Sequence, residues 1–148
     1  MHRSRLIGLD ASTHSVGWAV FEDGLYFSSG VFKPGEKGFA AIRNYALWLE
    51  KFIAEIGPQE VFYERPSGVR SKRADILLGA MWYQTWLLWP NLKPVSPMEI
   101  RKTGYSKLSS IQVLTELKND VVIKRRKDVC DELDAIGCVI AGMRRYLN

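Results

Sequence analysis

The sequence predicts an α/β domain in which helices flank a five-stranded mixed sheet. Three observations support this prediction. Short apolar runs end at turn-forming residues, as buried strands do. An Asp-Gly pair at 23–24 separates two of the early runs and indicates a β-hairpin. Apolar residues further along recur at three- and four-residue steps, which is the spacing of an amphipathic helix.

The order of these elements indicates how the sheet is built. Strands are predicted at 4–10, 15–22, 25–32, 60–64 and 92–95. Helices are predicted at 39–56, about 74–89, 97–102, from Ser109 or Ser110 to about 117, and 128–147. The first three strands form an antiparallel meander, and the last two lie parallel in the same sheet.

Length and composition limit the possible classes of protein. A chain of 148 residues suits a single domain, 1–148, with one core. No apolar run approaches the ~18 residues of a membrane span, so no membrane partner is expected. The N-terminus runs directly into the first strand, so no signal peptide is expected. Cys130 and Cys138 lie about 12 Å apart along one predicted helix, too far for a disulfide. A reducing cytoplasm is therefore expected.

The charge of the chain indicates an anionic partner. Its net charge is +5 and its sequence pI is about 9.3. Each basic cluster alone is also compatible with a solvated surface, but two clusters flank acidic candidates. Positive charge beside carboxylates suits a phosphodiester. The predicted DNA-binding residues are Arg65, Arg70, Lys72, Arg73, Arg101, Lys102 and Lys107.

Two carboxylates end buried strands. Asp10 ends the first strand, and Glu64 ends the fourth. A buried carboxylate requires a partner, which can be a basic side chain or a metal ion. The alternative for Asp10 is that it caps the following turn through its own backbone.

Two further carboxylates lie on the last helix. Asp131 and Asp134 are one turn apart on one face, which small residues such as Cys138, Ala141 and Gly142 continue. Such a face allows the helix to approach the sheet and bring both carboxylates to the strand ends. Asp128 and Glu132 are assigned instead to a favourable interaction with the helix dipole.

These four acids predict a metal site. Four carboxylates in one place destabilise the fold unless cations bind them. Hard oxygen ligands suit Mg²⁺, with Mn²⁺ as a substitute. Two such ions, about 3.5–4 Å apart, can hold the attacking water and the leaving oxygen of a phosphodiester. The predicted metal ligands are Asp10, Glu64, Asp131 and Asp134.

The helix at about 74–89 is apolar on all sides, which predicts that it is buried on all sides. One side can pack on the sheet, which leaves Trp82, Trp86 and Trp89 as a second stripe. Core filling is one explanation of the stripe. The other is an interface, since aromatic residues are enriched in interface cores, and it predicts a homodimer.

With these positions identified, the chain resembles the RuvC-type Holliday-junction resolvases of the RNase H-like (retroviral integrase) superfamily. The resemblance covers nearly the whole chain in the right order. It is carried by residues 7–10 with 17–20, 61–64, Leu78-Gly79, 95–102, Lys107 with Gln112-Val113, and 131–135.

The resemblance implies an RNase H-like fold and a homodimer paired through the helix after Glu64. It implies symmetric nicking of four-way junctions in DNA recombination and repair, the activity of a crossover junction endodeoxyribonuclease. Asp10, Glu64, Asp131 and Asp134 would be the catalytic, metal-binding acids, and Lys107 would stabilise charge on the scissile phosphate. Compact members occur in bacteriophages, so the hypothesis extends to a bacterial or phage-infected cell.

Alternatives remain open. The family carries an aromatic wedge where this chain has Ser67, which favours a broader nuclease for forks, flaps and three-way junctions. The segment from Asp10 to Gly17 also resembles the phosphate-binding strand and turn of actin-like ATPases and sugar kinases. A junction-binding protein without catalysis is the last alternative.

Overall fold

The computed structural model of the chain describes residues 3–66, 72–105, 116 and 129–147. Its strands are β1 (Arg5–Ala11), β2 (Val16–Glu22), β3 (Leu25–Phe32), β4 (Glu60–Glu64) and β5 (Lys93–Val95). Its helices are α1 (Phe39–Ile56), α2 (Lys72–Leu88), α3 (Pro97–Arg101) and α4 (Val129–Gly142), and a π-helical turn (Met143–Leu147) follows α4. The strands and helices α1 to α3 match the predicted bounds to within two residues, and α4 with its π-helical turn covers 129–147 of the helix predicted at 128–147. Of the helix predicted from Ser109 or Ser110 to about 117, only Glu116 is among the described residues.

The five strands form one sheet in the order β3-β2-β1-β4-β5. β1 and β2 pair antiparallel, as do β2 and β3. β4 pairs parallel with both β1 and β5. The predicted meander with two added parallel strands is therefore confirmed.

The β2–β3 hairpin follows from its turn residues. Asp23 and Gly24 have φ angles of 53° and 81°, the positive values that a type I′ hairpin turn requires. The pairing between β2 and β3 then shifts by one residue at Phe27, which is the extra residue of a β-bulge.

Helices cover both faces of the sheet. The alternation of side chains along each strand sends one set towards α3 and α4 and the other towards α1 and α2. The face towards α4 includes Leu6, Ala19, Phe62, Ile136 and Val139. The face towards α1 and α2 includes Ile7, Leu9, Tyr45, Leu49, Tyr63 and Met81.

Residues at the helix ends determine where α1 stops and where α3 begins. Gly57 ends α1 in the left-handed conformation, and its N–H donates to the carbonyl of Ile53 at 2.9 Å. Ser96 and Glu99 form a capping box that starts α3 directly after β5. The π-helical turn is tied to the same region, because Arg145 pairs with Glu99 at 2.8 Å.

Candidate metal centre

Two acids of the site come from neighbouring parallel strands. Asp10 lies near the end of β1, and Glu64 is the last residue of β4. The register pairs Leu9 with Tyr63, so the two acids follow at the same edge of the sheet. The two-residue repeat of each strand places them on the face that packs against α4.

Helix α4 supplies the third acid because it lies unusually close to the sheet. A Cβ on Gly8 would be 2.4 Å from the carbonyl oxygen of Ala135, and a Cβ on Gly17 would be 2.0 Å from that of Asp131. Only glycine fits at either position. The predicted approach of the helix to the sheet is observed, but the glycines at these two contacts are on the strands. Of the small residues predicted on the helix, Gly142 lies in a similarly close contact, where a Cβ would be 2.3 Å from the Phe62 ring. Because Gly17 is in contact with the backbone of α4, it is a packing residue.

This approach brings three carboxylates together. Asp10, Glu64 and Asp134 each offer an oxygen, and these oxygens all lie within 4.8 Å of one another. We call these three residues the acidic trio. Among the described residues, Asp131 falls outside this trio. It lies nearby and accepts a hydrogen bond from the Ser15 hydroxyl at the turn before β2.

The electrostatics of the trio favour a bound cation. Burial, followed by the charge of Glu64 and a hydrogen bond with it, raises the pKa of Asp10 well above its usual range. Burial, followed by the charges of Glu64 and Asp131, raises the pKa of Asp134 to about 7. Both shifts express the cost of ionising these carboxyls without a counter-charge. A divalent cation supplies that charge, and oxygen ligands suit a hard ion, so these residues fit a divalent metal.

Basic residues surround this edge of the sheet. The charge of Arg101 in α3 acts on Asp134 and opposes the rise of its pKa. Arg65 follows Glu64 directly, and Lys72 and Arg73 are exposed at the start of α2. Lys102, which caps the end of α3, is also exposed. The predicted contributions of Arg70 and Lys107 fall outside the described residues.

The three tryptophans of the α2 region differ in their surroundings. Trp82 packs against Tyr63 with ring centroids 6.0 Å apart, and Trp89 also contacts the core. Trp86 points outward and stacks on Tyr83. The exposed large apolar residues of α2 are Ile76, Tyr83, Trp86 and Leu87. The predicted second stripe is therefore only partly outward, and its exposed portion includes residues that the tryptophan spacing did not predict.

Glu132 is the residue that sequence reasoning missed. It was assigned to the helix dipole, but the structure buries it completely and pairs it with Ser29. A signal was present, because Glu132, Ala135, Val139 and Gly142 follow the helical spacing of one face. Three of these four residues are apolar or glycine, which marks that face as buried.

Comparison with known proteins identifies the fold. No protein-family model matches the chain, and a search of the curated proteins finds no match. A structure of T. thermophilus RuvC in complex with a Holliday junction substrate superposes with a TM-score of 0.70 and 14% identity. The alignment covers 93% of this chain and 91% of that one. The chain has the RuvC fold.

Two further structures share this fold, which is RNase H-like. Another structure of Thermus thermophilus RuvC aligns at a TM-score of 0.62 and 14% identity, over 95% of each chain. The yeast mitochondrial Holliday junction resolvase Ydc2 aligns at 0.62 and 16% identity, over 95% of this chain and 78% of that one. The predicted fold is thus confirmed, while these sources lend no support to a bacteriophage origin. Across the part of the chain that is described, no helix has both the length and the apolar character of a membrane span.

Proposed function

We propose that the chain is a metal-dependent endonuclease that resolves four-way DNA junctions by paired, symmetric nicks. The observation that carries the proposal is the acidic trio, whose oxygens lie within 4.8 Å of one another on a RuvC fold. A RuvC of this fold has been solved with a Holliday junction substrate. The reaction is phosphodiester hydrolysis, that of a crossover junction endodeoxyribonuclease in recombination and repair, and residues 1–148 form one nuclease domain.

The proposed cofactor is a pair of Mg²⁺ ions in each site, with Mn²⁺ as a substitute. Asp10, Glu64 and Asp134 would hold them, with the neighbouring Asp131 as the fourth ligand. When bound, such ions activate a water molecule and neutralise charge on the scissile phosphate. The protein keeps the ligands in place through the ends of β1 and β4, the close approach of α4, and the bond from Ser15 to Asp131.

The proposed DNA surface consists of the basic residues around the trio. The charge of Arg101 acts on Asp134, which supports a role for Arg101 in contacting a phosphate at the site. Arg65, Lys72, Arg73 and Lys102 extend the positive charge on both sides. Arg70 and Lys107 remain predicted contributors, and Lys107 keeps its predicted role at the scissile phosphate.

Paired nicks on opposed strands require two sites, so the proposal includes a homodimer. Its contact surface is the outward face of α2, where Ile76, Tyr83, Trp86 and Leu87 are 62%, 56%, 47% and 49% exposed. Trp82 and Trp89 support this helix from the core side. Apolar and aromatic exposure on this scale is typical of the core of an interface.

Sedimentation velocity tests the dimer with a matched pair of variants. Trp86→Asp places a charge in the proposed interface and should convert the protein to a monomer. Leu25→Asp replaces an apolar residue of β3 that is 73% exposed and should leave the dimer unchanged. A wild-type monomer at micromolar concentration would refute this part of the proposal.

Replacement of Asp10 tests the catalytic role of the trio. Asp10→Asn removes a metal ligand but no phosphate contact, so junction binding should persist. Cleavage should fall by roughly 10³-fold or more, because a metal supplies several kcal/mol of transition-state stabilisation. Gel-shift and single-turnover cleavage assays on the same junction measure both quantities. Equal loss of binding and cleavage would mean that Asp10 is structural.

A substrate panel separates the proposed function from its closest alternative. Labelled four-way junctions, three-way junctions, flaps and linear duplex are incubated with Mg²⁺, with Mn²⁺ and with EDTA. Paired symmetric nicks confined to the four-way junction are expected. Cleavage of every branched substrate would instead indicate the broader nuclease, the alternative suggested by Ser67 in place of the family's aromatic wedge. Tight binding without cleavage in either metal would leave a junction-binding protein.

The thiols suit the proposed cytoplasmic location. Cys130 is exposed and Cys138 is buried, and neither is in a disulfide. Burial, together with the charges of Glu64 and Asp10, raises the pKa of Cys138 well above its usual range, so this side chain stays a thiol. An exposed thiol outside a disulfide, such as that of Cys130, is most compatible with a reducing compartment.

A further inference from the structure

Glu132 is an ionisable residue that the proposed chemistry does not use. It lies in the first turn of α4 and its side chain is completely buried. A carboxyl group at such a position is unfavourable unless it is hydrogen-bonded. It also lies outside the acidic trio. Its presence therefore requires an explanation other than metal binding.

The contacts of Glu132 lead to β3. The Ser29 hydroxyl donates to Oε2 of Glu132 at 2.6 Å, and both residues are buried. The Tyr26 hydroxyl lies 2.9 Å from Ser29 Oγ. Because Ser29 donates its only hydroxyl proton to Glu132, the Tyr26 hydroxyl is the donor in the second bond. The result is a directed chain from Tyr26 through Ser29 to Glu132.

This series of hydrogen bonds holds the turn of α4 that presents the catalytic acids. Asp131 is bonded to Ser15 just before β2, and the adjacent Glu132 is bonded to Ser29 in β3. The backbone of Asp131 also rests on Gly17. Two strands therefore fix both the rotation and the depth of the first turn of α4. Asp134 follows one turn later, about 4.5 Å along the axis.

We propose that Glu132 is a positioning residue, which fixes α4 through Ser29 so that Asp134 and Asp131 face the metal. This inference rests on the proposed function. Glu132 touches neither metal nor substrate in this role. Loss of its bond frees the first turn to rotate, and residues that orient metal ligands typically change metal affinity by about 10–100-fold.

Three variants of the full chain test the role. Glu132→Leu removes the hydrogen-bond acceptor and keeps similar volume, whereas Glu132→Gln keeps an acceptor oxygen for Ser29. Ser29→Ala removes the donor. Mn²⁺ affinity is measured by calorimetry on metal-free protein, and thermal unfolding is recorded for each variant. Glu132→Leu and Ser29→Ala should weaken Mn²⁺ binding by roughly 10-fold or more, and Glu132→Gln should stay within a few-fold of wild type.

The double variant distinguishes positioning from simple stability. Replacing both partners of a buried hydrogen bond by apolar groups can leave stability nearly unchanged. Ser29→Ala/Glu132→Leu should therefore be destabilised by less than the sum of the two single variants and still bind Mn²⁺ weakly. Its loss of affinity should be no larger than that of the stronger single variant, since both break the bond between Ser29 and Glu132. Wild-type affinity in the double variant would overturn the proposal, as would equal losses for Glu132→Gln and Glu132→Leu.

A metal-free measurement separates this inference from the proposed function. Amide hydrogen exchange across 129–136 should be faster in Glu132→Leu and in Ser29→Ala than in wild type, because the turn is no longer fixed. Unchanged exchange in both variants would overturn the positioning role whether or not metal binds. If wild type fails to bind Mn²⁺, the proposed function fails, and the exchange result still decides the role of Glu132. If Glu132→Leu does not fold, Ser29→Ala provides the same comparison.

Discussion

The two faces of the sheet are packed in different ways. On the α1 and α2 face, large side chains fill the interior, among them Tyr45, Leu49 and Met81. On the α4 face, Gly8 and Gly17 let the helix backbone touch the strands. Large side chains therefore fill the first interface, whereas the second also depends on glycines that permit direct contact between backbones.

The polar groups follow the same division. On the α1 and α2 face, Tyr45 and Thr85 share a hydrogen bond of 2.7 Å, and burial raises the pKa of Tyr45 and keeps it neutral. On the α4 face, the polar groups include five carboxylates, those of the acidic trio, Asp131 and Glu132. One side of the protein can tolerate repacking, as apolar interiors usually do, whereas the other must keep carboxylates within a few ångströms. Both faces therefore contribute a buried apolar core, but the candidate site lies on the α4 face alone.

The largest expected effect comes from filling a glycine on the α4 face. Gly17→Ala puts a Cβ where the carbonyl of Asp131 lies, so α4 must move outward. Overpacking of this kind typically costs about 1–3 kcal/mol, and the displaced Asp134 should abolish Mn²⁺ binding and cleavage. Urea unfolding and Mn²⁺ titration measure the two effects.

Leu49→Ala is the matched control on the other face. Loss of a buried leucine side chain typically costs about 2–5 kcal/mol, so this variant should be at least as destabilised. Under conditions where it remains folded, its Mn²⁺ affinity should equal that of wild type. Similar metal affinity in Gly17→Ala and wild type would contradict the division between the two faces.

The next largest expected effect is a pH dependence of the free energy of unfolding, which arises from carboxyl groups on the α4 face. The folded-state pKa of Asp134 is about 7, compared with an ordinary value of 3.8. Between these values the unfolded chain loses the proton and the metal-free folded protein keeps it. The free energy of unfolding should therefore fall as pH rises through this interval and level off above it. Asp10, whose pKa is also raised, acts in the same direction.

Denaturation of metal-free protein at several pH values tests this dependence. Asp134→Asn should make the curve shallower and leave the contribution of Asp10, and Mn²⁺ should restore stability most strongly above pH 7, where the ligands are ionised. Tyr45→Phe, on the other face, should shift the whole curve without changing its slope. A slope that Asp134→Asn leaves unchanged would assign the titration to another group.

The smallest expected effect concerns DNA affinity. Arg101→Gln removes a charge beside the trio and should weaken junction binding several-fold, with a salt dependence shallower by about one counterion. Lys51→Gln removes an exposed charge from α1, on the opposite face, and should change neither quantity. Binding isotherms at three salt concentrations are sufficient. Equal effects of the two variants would place the DNA surface elsewhere.

The elements with local signals were predicted well from the sequence. The bounds of α1 and β4 agree with the prediction at every end, because Gly57 and Pro58 stop the helix just before the strand. Asp10 and Glu64 were found as strand-terminal acids, and their approach follows from parallel pairing. Asp134 was found because small residues continue its helical face.

The features that were missed depend on distant partners. Ser29 and Glu132 are 103 residues apart in the chain, and no local pattern specifies their bond. The sequence could not show which of the tryptophans face the core, for another reason. Since α2 is apolar all round, periodicity cannot tell which side meets Tyr63 and which side meets solvent. Only the packed structure decides both.

The order of the chain determines when the acidic trio can be completed during synthesis. The contact of Ser15 with Asp131 joins residues 116 positions apart, and α4 docks on strands made much earlier. The sheet and α1 are synthesised before Asp134. A nascent or truncated chain without α4 therefore carries only two members of the acidic trio. Under the proposed function, nuclease activity would begin only after α4 has docked.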